Sequence, residues 1–349
     1  MDKIKNDDYK SALLALLGSA ALLGASLWLP ARYAEWLVPL SVLIIPLILG
    51  YAVAKSGFAL GGAAAVLCFA AGSALDARLS GLLAALCLPL ALGIGFALRK
   101  KKRFRHGVMM TTGAALAGVV LLVGVLWLLT GEKPVDFIVS RLQMSLVDMD
   151  EMSIRSVYQF VRTADLMTGA VTQAALDAAP LDDAIAFILN QYRDILNVYL
   201  VSMIGVYALL AGLLGFLITR SALKKRKVDV IAIPAFSDYT LPNRFWLAFL
   251  LSYLVAVIGN SLGWQQFDIV QETVYALYAL VLTVQGLSLM DYLYKRRKMG
   301  VPARVVLHVL VLVIGSIVTL IGTLLVWAGL FENIARLRKR IESKGGAVL

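Results

Sequence analysis

The chain has 349 residues, 60% of them hydrophobic, and a formal net charge of +11 at pH 7. A soluble globular domain is about 45–50% apolar, so this composition excludes an ordinary soluble protein and indicates that lipid is the solvent. The positive charge falls in short clusters between apolar runs, which is typical of an integral membrane protein and argues against a nucleic-acid partner. The sequence therefore predicts an all-α, polytopic membrane helix bundle with the lipid bilayer as its main partner.

Nine apolar segments each have the roughly 17–25 residues that a helix needs to cross the hydrocarbon core. We predict spans at about 12–29, 36–54, 58–75, 79–98, 107–130, 196–219, 244–262, 270–294 and 305–330. Basic clusters at 99–105, 220–227 and 295–298 follow the fourth, sixth and eighth spans, and such clusters mark cytoplasmic loops. Two spans separate each cluster from the next, so the clusters agree, and the N-terminus is predicted to be cytoplasmic as well.

The segment 131–195 then lies on the opposite side of the membrane. It has ten acidic residues against five basic ones, which suits that side. Its apolar spacing predicts two or three amphipathic helices. Pro180 with Asp182 and Asp183 starts a helix that continues without a break into the sixth span. These helices either lie on the outer membrane surface, cap the bundle, or form a solvated spacer without a site.

The predicted organisation is a five-helix module (1–130), the acidic helical insertion (131–195), a four-helix module (196–330) and a basic amphipathic tail (331–349). Nine spans place this tail outside the cytoplasm, although it carries five basic side chains between residues 332 and 344. Gly315 lies near the middle of the last span, but each half is too short to cross the membrane as part of a hairpin. We therefore predict a single span there.

The first five spans contain few polar groups and many small residues at four-residue spacing. The pairs are Ala15–Ser19, Ala20–Gly24, Gly61–Ala65, Ala91–Gly95, Gly113–Ala117 and Ala114–Gly118. Small residues at this spacing let helices approach closely, either within the chain or with another membrane subunit. Pro46 and Pro89 interrupt the hydrogen bonding of the second and fourth spans. Such kinks either line a cavity at mid-depth or are plain bends.

Polar residues concentrate in the later spans, where burial in the bilayer makes them candidates for binding a substrate. The candidates near the outer ends of the seventh and eighth spans are Asn260, Gln265, Gln271 and Glu272. These residues either line a polar pocket or belong to a wetted loop. Gln285 lies deep in the eighth span and must bond a neighbouring helix or a ligand. Asp291, beside Lys295 and Arg296, is predicted to form an ion pair at the helix end.

The stretch IPAFSDYTLPNRFW at 233–246 is too polar to cross the membrane, yet it contains four aromatic side chains. They are Phe236, Tyr239, Phe245 and Trp246. Aromatic rings favour the headgroup level of a bilayer, so we interpret these residues as interfacial anchors. Pro242 ends the extended stretch, and Asn243 is the predicted cap of the seventh helix.

Motifs for catalysis are missing from the sequence. Neither GxxxxGK[ST] nor HExxH occurs, and His106 and His308 do not make a Ser–His–Asp set plausible. Cys68 and Cys87 lie inside apolar segments without the spacing of metal ligands. We therefore expect a protein that is not an enzyme and that uses neither a metal nor a cofactor.

Several segments of the C-terminal half carry a family resemblance. ILNVYLVSMIGVYALLAGLLGFLITRSALKK leads to IPAFSDYTLPNRFW, followed by Asn260 after a glycine, VQGLSLMDYLYKR at 284–296 and GLFENIARLRKR at 329–340. In this order they resemble the YybS-like family of bacterial membrane proteins, whose members tend to have Asp where Glu332 stands. The resemblance covers roughly residues 185–340. That family is distantly similar to the substrate-binding S components of energy-coupling-factor vitamin transporters.

The resemblance implies a solute-binding or transport component of the bacterial cytoplasmic membrane that relies on separate ATPase and coupling subunits. The small-residue pairs of the first span would contact the coupling subunit. The alternative is a membrane scaffold or accessory subunit that docks an envelope or signalling partner through the acidic outer helices or the basic loops. No substrate residue is carried over from the family.

Overall fold

The computed structural model describes residues 2–28, 31–101, 103–165, 180–264, 266–317 and 319–345. Helices account for nearly all of these residues, and no strand occurs in these ranges. The described part of the chain contains thirteen α-helices, namely α1 Asp2–Trp28, α2 Ala31–Ser56, α3 Phe58–Ser73, α4 Ala77–Arg99, α5 Phe104–Thr130, α6 Pro134–Val147, α7 Glu151–Asp165, α8 Leu181–Lys225, α9 Phe245–Ser261, α10 Phe267–Arg296, α11 Val301–Ile317, α12 Thr319–Ala335 and α13 Leu337–Gly345.

Within the described ranges, six helices are long and apolar enough to cross a membrane, namely α1, α2, α4, α5, α8 and α10. Four more are apolar but shorter, namely α3, α9, α11 and α12. The predicted all-α polytopic membrane bundle is therefore confirmed. The first eight predicted spans each correspond to one of these helices.

The last predicted span, 305–330, is wrong as a single helix. The structure has α11 and α12 in its place, on either side of residue 318, which lies outside the described residues. A Cβ atom on Gly322 would lie 3.2 Å from the carbonyl oxygen of Gly315. In one continuous helix, residues seven positions apart are separated by about 10 Å along the axis. The chain therefore turns back, and the two glycines permit the close approach because neither has a side chain.

The N-terminal unit comprises residues 1–231 and contains α1–α8. One buried cluster joins α1–α4 through Leu23, Ile45, Cys68 and Cys87, and a second joins α4, α5 and α8. Phe216 of α8 is fully buried in the second cluster. The sixth span thus packs with the first five, and the boundary between the two compact units falls after Ile231.

Small residues bring the helices of this unit into backbone contact. A Cβ atom on Gly61 would lie 2.4 Å from the Cα atom of Val53, and one on Gly118 would lie 2.6 Å from the carbonyl oxygen of Leu86. Ala15 and Ser19 of the first span are also buried within the unit. Ala15–Ser19 and Gly61–Ala65 therefore pack inside the chain, the first of the two alternatives, whereas Gly113–Ala117 is exposed.

The acidic insertion forms helices as predicted. α8 runs unbroken from Leu181 to Lys225, which is about 67 Å at the usual rise per residue. Its first turns pack against α6 and α7 around a small core of their own. That core contains Leu146, Ile154, Tyr158, Ala184 and Ile188. Residues 166–179, between α7 and α8, lie outside the described residues.

The C-terminal unit comprises residues 232–349 and contains α9–α13. α10 is its central element and packs closely on α12. A Cβ atom on Gly286 would lie 2.3 Å from the carbonyl oxygen of Leu325, and one on Gly329 would lie 2.0 Å from that of Leu282. The two glycines therefore let the backbones of α10 and α12 touch, as small residues do in membrane helix pairs.

Candidate functional site

The 233–246 segment packs against α10, and side chains of the C-terminal unit bind its backbone. The buried Gln285 accepts a hydrogen bond from the Leu241 N–H at 3.0 Å. The Ser288 hydroxyl lies 2.6 Å from the carbonyl oxygen of Phe236 and 2.9 Å from that of Tyr239. Gln285 stands eleven residues before the last residue of α10, which is about 16 Å along the helix axis. Non-helical backbone at such a depth needs partners of this kind, because lipid offers none.

The tail supplies two further partners of the same segment. Arg338 of α13 donates from Nη1 to the carbonyl oxygens of Ser237 and Tyr239 at 2.6 and 3.0 Å. Its Nη2 donates to the Ser288 hydroxyl at 3.0 Å. The charge of Arg338 is balanced by Glu332 of α12, whose Oε1 lies 3.3 Å from Nε of Arg338, and both side chains are buried. The tail is therefore an internal part of this unit.

Asn333 of α12 links the segment to the start of α9. Its Oδ1 accepts from the Trp246 N–H at 3.0 Å, and its Nδ2 donates to the Pro242 carbonyl at 3.0 Å. α9 begins at Phe245, and no side chain of the preceding residue caps it. The predicted cap by Asn243 is wrong, because a side chain more than eighty residues away in the sequence bonds the first turn instead.

The sequence did not identify Arg338, Glu332 and Asn333 as a buried set. All three belong to a stretch whose charge and spacing are typical of a surface helix. One signal was available: the amide and carboxylate of Asn333 and Glu332 directly follow an apolar run, where an unpaired polar side chain is costly.

A pocket of about 520 Å³ opens between α10, α11 and the start of the 233–246 segment. We call it the α10–α11 pocket. Its walls are mainly apolar, although five of its twelve lining residues are polar or charged. The lining consists of Ala235, Phe236, Ser237, Leu287, Asp291, Lys295, Val301, Arg304, Val305, His308, Val309 and Leu312. A concave, mostly apolar lining with a few convergent polar groups is typical of a small-molecule site.

Asp291 and Arg304 form a largely buried ion pair in this pocket. Nη1 of Arg304 lies 3.0 Å from both carboxylate oxygens, and the two side chains are largely buried. Asp291 thus forms an ion pair, as predicted, but its partner comes from the next helix and not from Lys295 or Arg296. The Nε–H of Arg304 is buried and donates to no described acceptor. An unsatisfied buried donor costs about 1–3 kcal/mol, so an acceptor bonded to this N–H would stabilise the unit.

His308 completes the polar side of the pocket. Its Nε2 lies 3.1 Å from the Leu287 carbonyl oxygen, and its Nδ1 contacts the Arg304 carbonyl oxygen. The rings of Phe236 and Tyr294 meet the imidazole edge-on, with centroids at 5.7 and 5.8 Å. Both ring nitrogens face backbone oxygens, so neither is directed at a metal ion or a substrate proton.

The order of these contacts fixes the course of α11 and α12. Arg304 meets Asp291, and His308, four residues later, meets Leu287, four residues earlier. α11 is therefore antiparallel to α10. Arg338, which follows α12, reaches the same end of α10, where its guanidinium also lies over the ring of Tyr292 at 5.6 Å. α11 and α12 thus leave and return to one end of α10.

The predicted outer candidates lie elsewhere in this unit. Asn260 of α9 donates to the Gln271 side chain at 3.4 Å, and Gln271 donates to the Tyr253 hydroxyl at 3.3 Å. Glu272 is half-buried on α10, and Gln265 lies outside the described residues. Thirteen residues of α10, about 20 Å of helix, separate Glu272 from Gln285. The structure therefore does not bring the outer candidates and Gln285 into one site.

The predicted helix breakers lie in the N-terminal unit, inside helices that continue through them. Pro46 is buried and Pro89 half-buried. Beside Pro89, a Cβ atom on Gly118 would lie 3.4 Å from the carbonyl oxygen of Ala85, the group that lacks its helical partner. Helix α5 thus closes on α4 at this point, which favours a plain bend over a cavity at Pro89.

The four predicted anchors differ in exposure. Phe236 is 44% exposed and lines the α10–α11 pocket, while Tyr239, Phe245 and Trp246 are half-buried. The Phe245 ring packs on Tyr278 with centroids 5.0 Å apart. Their role at the headgroup level stays a prediction.

Comparison with known proteins gives one match. The model of a family described as predicted membrane proteins (DUF2232) matches residues 33–327. No curated protein and no solved structure matches the chain. The matched range takes in the lining of the α10–α11 pocket and ends before Arg338. Because the match covers most of its length, the chain belongs to the DUF2232 family of predicted membrane proteins.

Proposed function

We propose that the protein is a non-enzymatic solute-binding or transport component of the bacterial cytoplasmic membrane, and that the α10–α11 pocket holds the solute. The observation that carries this proposal is the largely buried Asp291–Arg304 pair in a mainly apolar wall, with the buried Nε–H of Arg304 bonded to no described acceptor. Ionisable side chains inside membrane segments are costly and mark functional sites more often than structural ones. The resemblance to YybS-like proteins, and through them to energy-coupling-factor S components, supports the same function.

The lining indicates the chemistry of the solute. A volume of about 520 Å³ suits a small molecule. Val305, Val309 and Leu312 offer an apolar surface, while Arg304 and Lys295 offer donors for an oxygen-bearing group. We therefore propose a small amphipathic solute with an acidic or strongly accepting group.

Native mass spectrometry tests the pocket. The purified protein is incubated with a low-molecular-weight cell extract, and the bound mass is compared between the wild type and the Asp291→Asn/Arg304→Gln double variant. The double variant removes both charges but keeps hydrogen-bonding side chains, so no buried charge is left unpaired. We expect a discrete bound mass on the wild type and its loss from the variant.

The matched control is Glu151→Gln/Arg155→Gln, which neutralises an exposed ion pair on α7. This control is expected to retain the bound mass. Equal binding by both double variants, or no bound mass on the wild type at all, would contradict a solute site at Arg304.

The transport part of the proposal predicts partner subunits. Affinity purification in mild detergent is expected to recover an ATPase and a coupling subunit with the chain. Recovery of an envelope or signalling complex in their place would favour the second candidate function, a membrane scaffold. One observation favours that candidate: Val147, Met152 and Phe160 are 68%, 77% and 76% exposed on the α6–α7 helices, which carry no span-length apolar run.

The orientation belongs to the same proposal, with the N-terminus and the basic loops in the cytoplasm. Because α11 and α12 return to one end of α10, the tail lies on the side of the 295–298 cluster, and its five basic residues agree with the charge rule. Single cysteines at Arg297, Ser343 and Asp148 test this, since Cys68 and Cys87 are buried. We expect an impermeant maleimide to label Asp148→Cys in intact spheroplasts, and Arg297→Cys and Ser343→Cys only after lysis. Labelling of Ser343→Cys in intact spheroplasts would refute the hairpin topology.

A further inference from the structure

A second pocket, of about 460 Å³, lies in the N-terminal unit between α1, α2 and the end of α8. Its charged lining is entirely basic. Lys10 comes from α1, Lys55 from α2, and Arg226 directly follows α8. The rest of the lining is Ser11, Leu14, Ala15, Ile48, Tyr51 and Ala222. Three helices that are far apart in the sequence thus bring three cations together.

Among the side chains that the structure describes, no carboxylate lines this pocket. The ion pairs of the described side chains involve other residues, and none includes Lys10, Lys55 or Arg226. Lys55 is half-buried, so solvent screens it incompletely. Like charges held close together repel each other, and an anion placed between them removes that repulsion. The lining therefore selects an anion.

The positions of the three cations along their helices indicate which class of anion the pocket binds. The apolar stretches of α1 and α2 are Tyr9–Leu27 and Leu37–Ser56, so Lys10 and Lys55 occupy a terminal turn of each. Arg226 likewise follows the last residue of a long apolar helix. In a bilayer these positions lie at the level of the lipid headgroups.

The uncharged residues beside the cations distinguish a lipid from a soluble anion. Leu14 is 70% exposed, and Leu13 and Leu17 on the same helix are 56% and 57% exposed. On a membrane helix such leucines face lipid acyl chains. A ligand at this place therefore meets cations at one end and a lipid-facing apolar surface at the other.

We propose that this basic pocket binds the phosphate group of an anionic phospholipid. Basic pockets between membrane helices on the cytoplasmic side recognise such headgroups. A soluble phosphate would satisfy the three cations but would gain nothing from the leucines. The pocket belongs to the N-terminal unit and shares no residue with the α10–α11 pocket, so this inference goes beyond the proposed function and is tested separately.

The test measures lipid retention on the whole chain. Wild-type protein in detergent is titrated with phosphatidylglycerol, with phosphatidylcholine and with inorganic phosphate, and bound lipid is counted by native mass spectrometry. The pocket variant is Lys10→Gln/Lys55→Gln/Arg226→Gln. The matched control, Lys100→Gln/Lys224→Gln/Lys225→Gln, removes three charges that do not line the pocket.

We expect one tightly retained phosphatidylglycerol on the wild type and the control, and a fall in affinity on the order of a hundredfold for the pocket variant. Phosphatidylcholine is expected not to compete, because its headgroup has no net charge. Equal loss of lipid in both triple variants would show a diffuse charge effect and overturn the site. Displacement of the lipid by millimolar inorganic phosphate alone would overturn the assignment to a lipid. A pocket variant that fails to fold is replaced by Lys55→Gln alone, for which we expect about a fivefold fall.

Discussion

The N-terminal unit packs its helices mainly through small residues, whereas the C-terminal unit adds a network of buried amide and charged side chains. In the first unit, hydroxyl groups bond across the spans, as Ser26 does with Ser41 and Thr111 with the Gly212 carbonyl. In the second, Gln285 and Arg338 bind non-helical backbone inside the unit. Hydroxyl groups and glycines let helices pack closely without burying a charge. A buried ion pair in lipid is unfavourable unless hydrogen bonds satisfy its polar groups. The first unit is thus held mainly by apolar and hydroxyl contacts, whereas the second buries ionised side chains among its helices.

The largest expected effect comes from breaking the buried pair of the C-terminal unit. Arg338→Met leaves Glu332 buried without its cation and the Ser237 and Tyr239 carbonyls without a donor. We expect the free energy of unfolding to fall by about 3–5 kcal/mol, measured by denaturant titration in detergent micelles. Adding Glu332→Gln to this variant is expected to recover part of the loss.

The matched control for this variant is Arg340→Met, an exposed arginine on the same helix. Its unfolding is expected to follow the wild type. If Arg338→Met and Arg340→Met unfolded alike, the tail would not be an internal part of the unit.

The next effect tests the packing of the N-terminal unit. A methyl group on Gly118 would lie 2.6 Å from the Leu86 carbonyl oxygen, whereas the corresponding position on Gly113 has nothing within 4 Å. Gly118→Ala is expected to destabilise by about 1–3 kcal/mol through overpacking. Gly113→Ala, on the same helix α5, is expected to be neutral or to gain up to about 1 kcal/mol of helix propensity. The same titration measures both, and equal effects would mean that α4 and α5 do not touch at this point.

A smaller effect is expected where α12 bonds the start of α9. Asn333→Ala removes the acceptor of the Trp246 N–H and the donor to the Pro242 carbonyl, and we expect a loss of about 1–2 kcal/mol. Hydrogen exchange of the first α9 amides should accelerate in the same variant. The exposed Asn190→Ala on α8 is the control, and unchanged exchange in α9 would show that Asn333 does not cap it.

The smallest effect is expected from the Asp150 carboxylate at the start of α7, in the acidic insertion. The Asp150 carboxylate accepts from the hydroxyl and the N–H of Ser153 at 2.6 and 3.1 Å, and these hydrogen bonds lower the pKa of Asp150 from its ordinary value of 3.8. A lowered pKa in the folded state means that the stabilisation is present above pH 3.8 and is lost as the pH falls through the folded value. Exchange of the first α7 amides, corrected for intrinsic rates, should therefore lose protection below about pH 4 in the wild type. Asp150→Asn should show no such pH dependence, and an identical profile in both would exclude the cap.

Much of the fold could be predicted because hydropathy and charge are local signals. Eight of the nine predicted spans correspond to helices, and the continuous α8 was anticipated from its entry residues, Pro180 and the two aspartates after it. The ninth span was wrong because hydropathy does not record a turn between two apolar helices. The turn is recognised from the close approach of Gly315 and Gly322, which depends on the three-dimensional course of the backbone and not on hydropathy.

The candidate site was less predictable, for a related reason. Gln285 was identified as a buried amide in need of a partner, but the partner is the Leu241 N–H of a segment that the sequence placed at the membrane surface. Arg304 and Arg338 were not singled out, since an arginine beside a basic loop or in a basic tail normally faces water. Their burial depends on Asp291 and Glu332, which other helices supply.

The sequence by itself thus determined the solvent, the helical class, most of the spans and the helical nature of the acidic insertion, because each follows from the composition of one stretch of chain. Only the tertiary structure decided which glycines touch a neighbour, which carboxylate meets which arginine, and where the 233–246 segment finds its hydrogen bonds. Those outcomes depend on groups far apart in the chain that must satisfy one another in lipid, where water offers no alternative partner.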